Sequence, residues 1–214
     1  MYLTTDRLIL RPIEPNDFQD LYDIFSDKEV TGPAQSHCVE SLDEMSDYMY
    51  CLYRDYSQSM IELKSTGQVI GVIQRRMIYT LSDNNDYVIG YMLRRDMHGK
   101  GYMTEAVKAV VTDLFERRDA ESVALATSVY NRKSQRVAEK CGFSRINDIR
   151  DYPYWFYEDD SNDCHYKLTY DDYSFWHFAN PRLDDKAYAP HTRIHNSKGM
   201  HKGEDTFYAL PRVA

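Results

Sequence analysis

The chain has 214 residues, enough for one domain with a sizeable core, and a net charge of −8 that argues against nucleic-acid binding. No run of about 18 apolar residues is present, so no membrane span is expected, and the opening MYLTTDRLIL lacks the basic-then-apolar layout of a secretion signal. Four scattered cysteines without CxxC spacing read as free thiols of a cytoplasmic protein.

In chain order, Arg7 to Pro12 alternates polar and apolar residues and predicts a strand stopped by proline. Pro15-Asn16-Asp17 opens a helix to about Phe25, with Phe18, Leu21, Tyr22 and Phe25 on one face. Lys28 to Cys38 reads as loop broken by Gly32-Pro33. A second helix is expected from Ser41 to about Tyr53, with Leu42, Met45, Met49 and Leu52 inward. Ser59 to Leu63 and Val69 to Ile73, joined by Ser65-Thr66-Gly67-Gln68, predict a hairpin whose second strand runs on towards Tyr79. The polar cluster Ser82 to Asp86 is a turn before the next strand.

The most informative stretch follows. Tyr87 to Leu93 is a short apolar strand, Arg94 to Gly101 a basic turn punctuated by glycine, and Met103 to Leu114 an amphipathic helix. Thr104 is a candidate cap, Glu105 suits the positive end of the helix dipole, and Arg117 and Arg118 suit the negative end. A strand entering a helix through Gly-x-Gly can trap an anion, because glycine lets the backbone approach and the first helical N–H groups are unpaired. GKGYMT lacks the Gly-Lys-[Ser/Thr] of a P-loop and the third glycine of a dinucleotide fingerprint. A tight turn with nothing bound is the plain alternative.

Ser122 to Val129 is a further strand. Asn131 to Phe143, NRKSQRVAEKCGF, reads as a helix capped by Asn131 and ended by Gly142, with Ser134, Val137, Ala138 and Cys141 on one face. Phe143 to Ile149 and His165 to Tyr170 predict the last strands, with the aromatic run Tyr152 to Tyr157 between them as a hairpin, substrate wall or dimer contact. The order is that of an α+β domain with a mixed, largely antiparallel sheet.

Residues 174–214 show no sustained period. They carry six basic against four acidic side chains, a net +2 that leaves −10 for residues 1–173. The expectation is a domain over 1–173 and an irregular extension over 174–214, packed through Phe175, Trp176, Phe178, Phe207, Tyr208 and Leu210 on the domain or on a dimer partner. His191, His195 and His201 have no carboxylate or cysteine to complete a ligand set, so no metal site is assigned.

Three motifs in order, TDRLILRPIEPNDF, HGKGYMTEA and NRKSQRVAEKCGF, resemble the GNAT superfamily of N-acetyltransferases, particularly its RimJ/RimL-like branch. The resemblance covers roughly the first 170 residues and implies the GNAT fold, whose strands splay beside the cofactor. It implies acetyl-coenzyme A as co-substrate, with its pyrophosphate on His98, Gly99, Lys100, Gly101, Tyr102, Met103 and Thr104. The family pattern [Gln/Arg]-x-x-Gly-x-[Gly/Ala] falls on His98, Gly101 and Met103; Gly101 fits, His98 replaces Arg or Gln, and Met103 narrows the room for phosphate. Backbone amides around Met92, Leu93 and Arg94 would hold the thioester carbonyl, and Asn131 the pantetheine arm. The two helices and their loop within 26–56 would wall the amine site.

The resemblance makes Ser134 the first choice to protonate the departing thiolate and Tyr130 the second. Asn131 as a simple helix cap, and Ser134 as a hydroxyl bonded back to its own turn, are the structural alternatives. The base is poorly specified: Asp86 at the strand entry and Glu62 on the earlier strand are candidates, or the amine arrives neutral without a dedicated base. The expected activity is direct acetyl transfer to a primary amine of a small molecule or peptide. The rival expectation is a GNAT-fold protein that binds coenzyme A as sensor or scaffold and catalyses nothing.

Overall fold

The computed structural model describes residues 1–78, 85–146 and 163–179, with side chains to 175. One eight-stranded sheet runs through them. Its strands are β1 (Leu3–Thr4), β2 (Leu8–Arg11), β3 (Gln58–Leu63), β4 (Gln68–Ile78), β5 (Asp86–Leu93), β6 (Ser122–Ser128), β7 (Ser144–Arg145) and β8 (Asp163–Thr169). They lie side by side in the order β1-β2-β3-β4-β5-β6-β8-β7, all neighbours antiparallel except β5 and β6. The helices are α1 (Phe18–Phe25), α2 (Lys28–Thr31), α3 (Leu42–Arg54), α4 (Tyr102–Arg117), α5 (Arg132–Lys140) and α6 (Tyr170–Ala179). This is the mixed, largely antiparallel α+β architecture that the sequence predicts.

The sheet separates two apolar layers. On one face Leu21, Ile24, Phe25, Met45, Met49 and Leu52 of α1 and α3 pack on Met60, Val69, Val72 and Met92. On the other, Ala106, Val107, Val110 and Leu114 of α4 pack on Ile61, Ile73, Ile89 and Leu125. The period-2 strand pattern and the 3-and-4 helix pattern meet in these layers. β2 is locked to β3 by a buried cation: Arg11 donates twice to Asp17, at 2.8 Å each, and once to Glu62 at 2.5 Å. Glu62 therefore has a structural partner on the sheet.

Several expectations need correction. The loop from Lys28 contains α2, whose N-cap Asp27 accepts the Glu29 N–H. Leu42 opens α3 and is 51% exposed rather than inward. Thr104 is not the cap of α4: the helix begins two residues earlier behind Gly101, whose backbone is left-handed (φ 82°). Position 173/174 lies within α6, and the Phe175 side chain is 79% exposed among the described residues. The strand predicted for Phe143 to Ile149 is β7 alone as far as Ile146. The side chains of Trp176 and Phe178, the run Tyr152 to Tyr157, the histidines 191, 195 and 201, and Phe207, Tyr208 and Leu210 lie outside the described residues.

Gly71 of β4 is required by close packing. A Cβ there would lie 2.5 Å from the carbonyl oxygen of Met92 on β5. Gly71→Ala must push the two strands apart and is expected to cost about 1–3 kcal/mol, the range for overpacking a filled interior. Urea unfolding measures it; an unchanged midpoint and slope would show that the strand pair gives way freely.

Candidate active site

The site is built where two parallel strands part. β5 and β6 pair at Asp86↔Ser122, Tyr87↔Val123 and Val88↔Ala124, and no further. β5 continues on β4 to Leu93, while β6 continues on β8 to Ser128. A wedge-shaped gap therefore opens beyond Val88. Backbone alternation fixes which groups enter it. Arg94 N–H donates to Ile70 at 2.8 Å, so Ile70/Arg94 is a hydrogen-bonded pair. In an antiparallel ladder Met92 then also faces β4, and Leu93 and Tyr91 face the opposite side. Of the three residues expected to hold a carbonyl, only Leu93 turns its N–H into the gap. Arg94 spends its amide on β4, and its guanidinium pairs with Asp96 at 3.0 Å. Met92 buries its side chain against α1 and α3.

The turn after β5 runs through a short 3-10 segment, Arg95–Met97, to His98. Gly99 (φ 76°) and Gly101 (φ 82°) hold left-handed backbone that other residues adopt only under strain. No atom lies within 4 Å of where a Gly99 Cβ would stand, so the turn is open above its backbone. The N–H groups of Tyr102, Met103 and Thr104 have no partners within α4, as at any helix start. Met103 is buried in the apolar layer beneath α4, so the core absorbs its bulk rather than the cradle. Left-handed glycines and unpaired amides at a helix start are a combination chemically suited to an anion.

His98 does something else. Its Nε2 lies 2.8 Å from the Leu93 carbonyl, and its Nδ1 lies 3.0 Å from Lys133 Nζ. An ammonium can only donate, so Nδ1 accepts and Nε2 carries the proton. The imidazole thus ties the end of β5 to α5 across the gap.

α5 stands over the gap with its first turn fixed. Asn131 Oδ1 accepts the Ser134 N–H at 3.1 Å and its Nδ2 donates to the Pro33 carbonyl at 3.3 Å. Asn131 is therefore the predicted helix cap, and it also tethers the loop that precedes α3. Gln135 donates to the carbonyls of Ser128 and Val129, binding α5 to the end of β6. Ser134 Oγ lies 3.0 Å from the Tyr91 hydroxyl, which also donates to the Ser134 carbonyl at 3.3 Å. Burial pushes the Tyr91 pKa well above that of an ordinary phenol, outweighing the Ser134 bond that lowers it, so its proton stays on. Tyr91 was not expected from sequence; only the register of β5 shows that it spans the gap.

Of the remaining candidates, Tyr130, just before α5, is 82% exposed. Asp86 accepts from the Ser122 hydroxyl at 2.5 Å, at the closed end of the wedge. It lies five residues before Tyr91, about 16 Å along an extended strand.

On the α1/α3 face of the wedge, Gln58, Gln74 and Gly90 form one row across three strands. With Phe25, Tyr48, Val72, Tyr91 and Met92 they line a pocket. Gln58 and Gln74 both donate to Asp55, at 3.0 and 3.1 Å. Burial raises the Asp55 pKa, but hydrogen bonds from Ser57 and Gln58 and the charge of Arg76 outweigh it and hold the carboxyl below its usual range. Phe25 of α1 and Tyr48 of α3 thus border the pocket.

Comparison with known proteins gives consistent matches. A family described as acetyltransferase (GNAT) domain matches residues 7–144. YdaF of Bacillus subtilis (strain 168), provisionally named a ribosomal N-acetyltransferase, is 24% identical over 77% of this chain and 90% of its own. The structure of a GNAT-family acetyltransferase from Bacillus anthracis superposes with TM-score 0.66 at 19% identity, covering 80% of this chain and 99% of the other. Spermidine N-acetyltransferase from Vibrio cholerae, solved with CoA and spermine, superposes with TM-score 0.62 at 15% identity, covering 79% and 99%. An inactive scaffold finds no support among these matches.

Proposed function

The chain belongs to the GNAT family of acetyltransferases, with acetyl-coenzyme A as its co-substrate, and on that premise we propose that it acetylates a cationic primary amine by direct transfer. The observation that carries this reading is the wedge after Val88↔Ala124, with an anion cradle at its entrance and Ser134 on its far wall. The cradle suits a pyrophosphate, and the gap suits an extended pantetheine arm. Leu93 N–H is turned to the place where a thioester oxygen gains charge.

In this scheme the amine nitrogen attacks the acetyl carbon, and the carbon–sulfur bond breaks. The sulfur gains one proton and the amine loses one, so the reaction balances without an acyl-enzyme. The Ser134 hydroxyl supplies a hydrogen bond and proton to the departing sulfur. Tyr91, protonated throughout, has one proton to give: bonded to the Ser134 carbonyl it accepts from the Ser134 hydroxyl, and turned to Oγ it leaves the serine proton free for the departing sulfur. Among the described residues the two candidate carboxylates are engaged elsewhere, Asp86 by Ser122 and Glu62 by Arg11, and the His98 ring spends both nitrogens on Leu93 and Lys133. The amine therefore enters in its neutral fraction. The expected result is that log kcat/KM rises with unit slope as pH approaches the pKa of the amine. A plateau well below that pKa would show an enzymic base.

The acceptor wall favours a cation. Between residues 14 and 56, eleven acidic side chains stand against two basic ones, Lys28 and Arg54, an excess above the net charge of the whole chain. An acidic wall concentrates cationic substrates. YdaF is named for a ribosomal acceptor and the Vibrio cholerae neighbour for spermidine, and acceptors of either kind, polyamine or protein amine, fit this reading. The test is thiol release from acetyl-coenzyme A against amines graded in charge. Turnover should rise with the positive charge of the acceptor and fall with salt. No release with any amine, despite coenzyme A binding, would return the scaffold reading.

A further inference from the structure

The cradle contains an apparent conflict. Glu105 stands in the first turn of α4, where the two phosphates of coenzyme A would be held, and a carboxylate there opposes an incoming anion. The opening segment of the chain answers it. Glu105 Oε1 accepts from the Thr5 hydroxyl at 2.6 Å and from the Arg7 N–H at 2.9 Å. Glu105 Oε2 accepts from Arg7 Nε at 2.6 Å and forms an ion pair with Nη2 at 2.6 Å. The third guanidinium nitrogen, Nη1, donates to the Lys100 carbonyl at 2.9 Å. The guanidinium also lies 4.4 Å over the Tyr102 ring. Its Nη2 is 3.5 Å from where a Gly101 Cβ would stand.

One side chain thus grips the turn at Lys100, flanks Gly101, covers Tyr102 and neutralises Glu105. This explains why an arginine near the N-terminus and a glutamate about one hundred residues later belong to the same site. An ordinary surface ion pair would add little to stability. Here two guanidinium nitrogens close on Oε2 while Oε1 takes the Thr5 hydroxyl and the Arg7 N–H, and the members sit on the backbone that must meet the phosphates. The Arg7 side chain is still 45% exposed, whereas Glu105 is 19% exposed, so the positive edge of the pair is the one open to solvent.

We propose that Arg7 is a positioning residue for acetyl-coenzyme A, acting through the Lys100–Tyr102 backbone and by cancelling the Glu105 charge at the phosphate cradle. The assignment rests on the acetyl-coenzyme A reading of the wedge. It separates the phosphates from the rest of the donor: the pantetheine arm and acetyl group lie beyond Arg7, at Leu93 and Ser134.

The experiment compares wild type, Arg7→Met, Arg7→Lys and Arg7→Met/Glu105→Gln. Coenzyme A affinity is measured by calorimetry at two salt concentrations, and turnover with acetyl-coenzyme A and with S-acetylpantetheine, which lacks the pyrophosphate. Arg7→Met should weaken coenzyme A by about 10–100-fold, the scale of lost charge-assisted hydrogen bonds. Arg7→Lys should fall between, since it restores the charge and not the fork. The double variant should regain part of the affinity, because the uncompensated carboxylate is gone. The loss in kcat/KM with acetyl-coenzyme A should exceed that with S-acetylpantetheine by the same 10–100-fold. Unchanged coenzyme A affinity in a folded Arg7→Met protein, or equal losses with both donors, would overturn the assignment and leave Arg7 a fold residue. Arg7-dependent coenzyme A binding in a wild type that transfers no acetyl group would uphold the assignment and sink the transfer reading instead.

Discussion

Ser134→Ala is expected to lower kcat by about 10²–10⁴-fold, the range for a positioned acid–base group, with coenzyme A affinity nearly unchanged. The substitution is clean. The Asn131 cap binds the Ser134 main-chain N–H, so α5 keeps its first turn. Only Oγ is lost, and with it the 3.0 Å contact to Tyr91. Tyr91→Phe should cost less, because Ser134 keeps its own proton and loses only the partner that orients it. Single-turnover kinetics with acetyl-coenzyme A would show both effects on the chemical step. If Ser134→Ala turns over normally, its hydroxyl is a structural group bonded to Tyr91, and the departing sulfur takes its proton from water.

The turn and helix ends that frame the candidate site were legible in the sequence; much of its wiring was not. Gly99-Lys100-Gly101 before an amphipathic helix announces an anion cradle because glycine spacing and helix capping are local properties. Asn131 and Gly142 delimit α5 for the same reason. The roles of Leu93, Tyr91 and Arg94 depend on ladder parity, which is set by how β5 registers on β4, and a one-residue slip would exchange them. His98 occupies a motif position yet spends its ring on Leu93 and Lys133. Nothing in a linear pattern shows a contact from β5 to α5. The Arg7–Glu105 pair is likewise a long-range contact. Asp86, at the strand entry as the sequence reads, is bonded to Ser122 where β5 and β6 still pair, a contact no local pattern shows.

Gly101→Val should abolish most of the cofactor affinity without unfolding the domain. Gly101 is the N-cap of α4 with φ 82° and ψ 2°, a conformation that a β-branched residue enters only with strain. That strain is about 1–3 kcal/mol. The chain can answer in two ways, and both harm the site. It can keep the left-handed turn, and then the valine methyl groups occupy the space beside Arg7 Nη2 and above the amides. Or it can revert to negative φ, and then the N–H groups of Gly101, Tyr102 and Met103 no longer converge. Coenzyme A should weaken by at least about 10–100-fold, the equivalent of that strain, and further if Arg7 is displaced. Gly99→Ala is the control that separates the causes. It carries the same positive φ, yet its Cβ meets nothing within 4 Å. Its loss therefore reports strain alone, and the excess in Gly101→Val reports steric closure of the cradle. Calorimetry gives both affinities and thermal unfolding gives the cost to the fold. A stably folded Gly101→Val protein that binds coenzyme A like wild type would move the phosphates away from this turn.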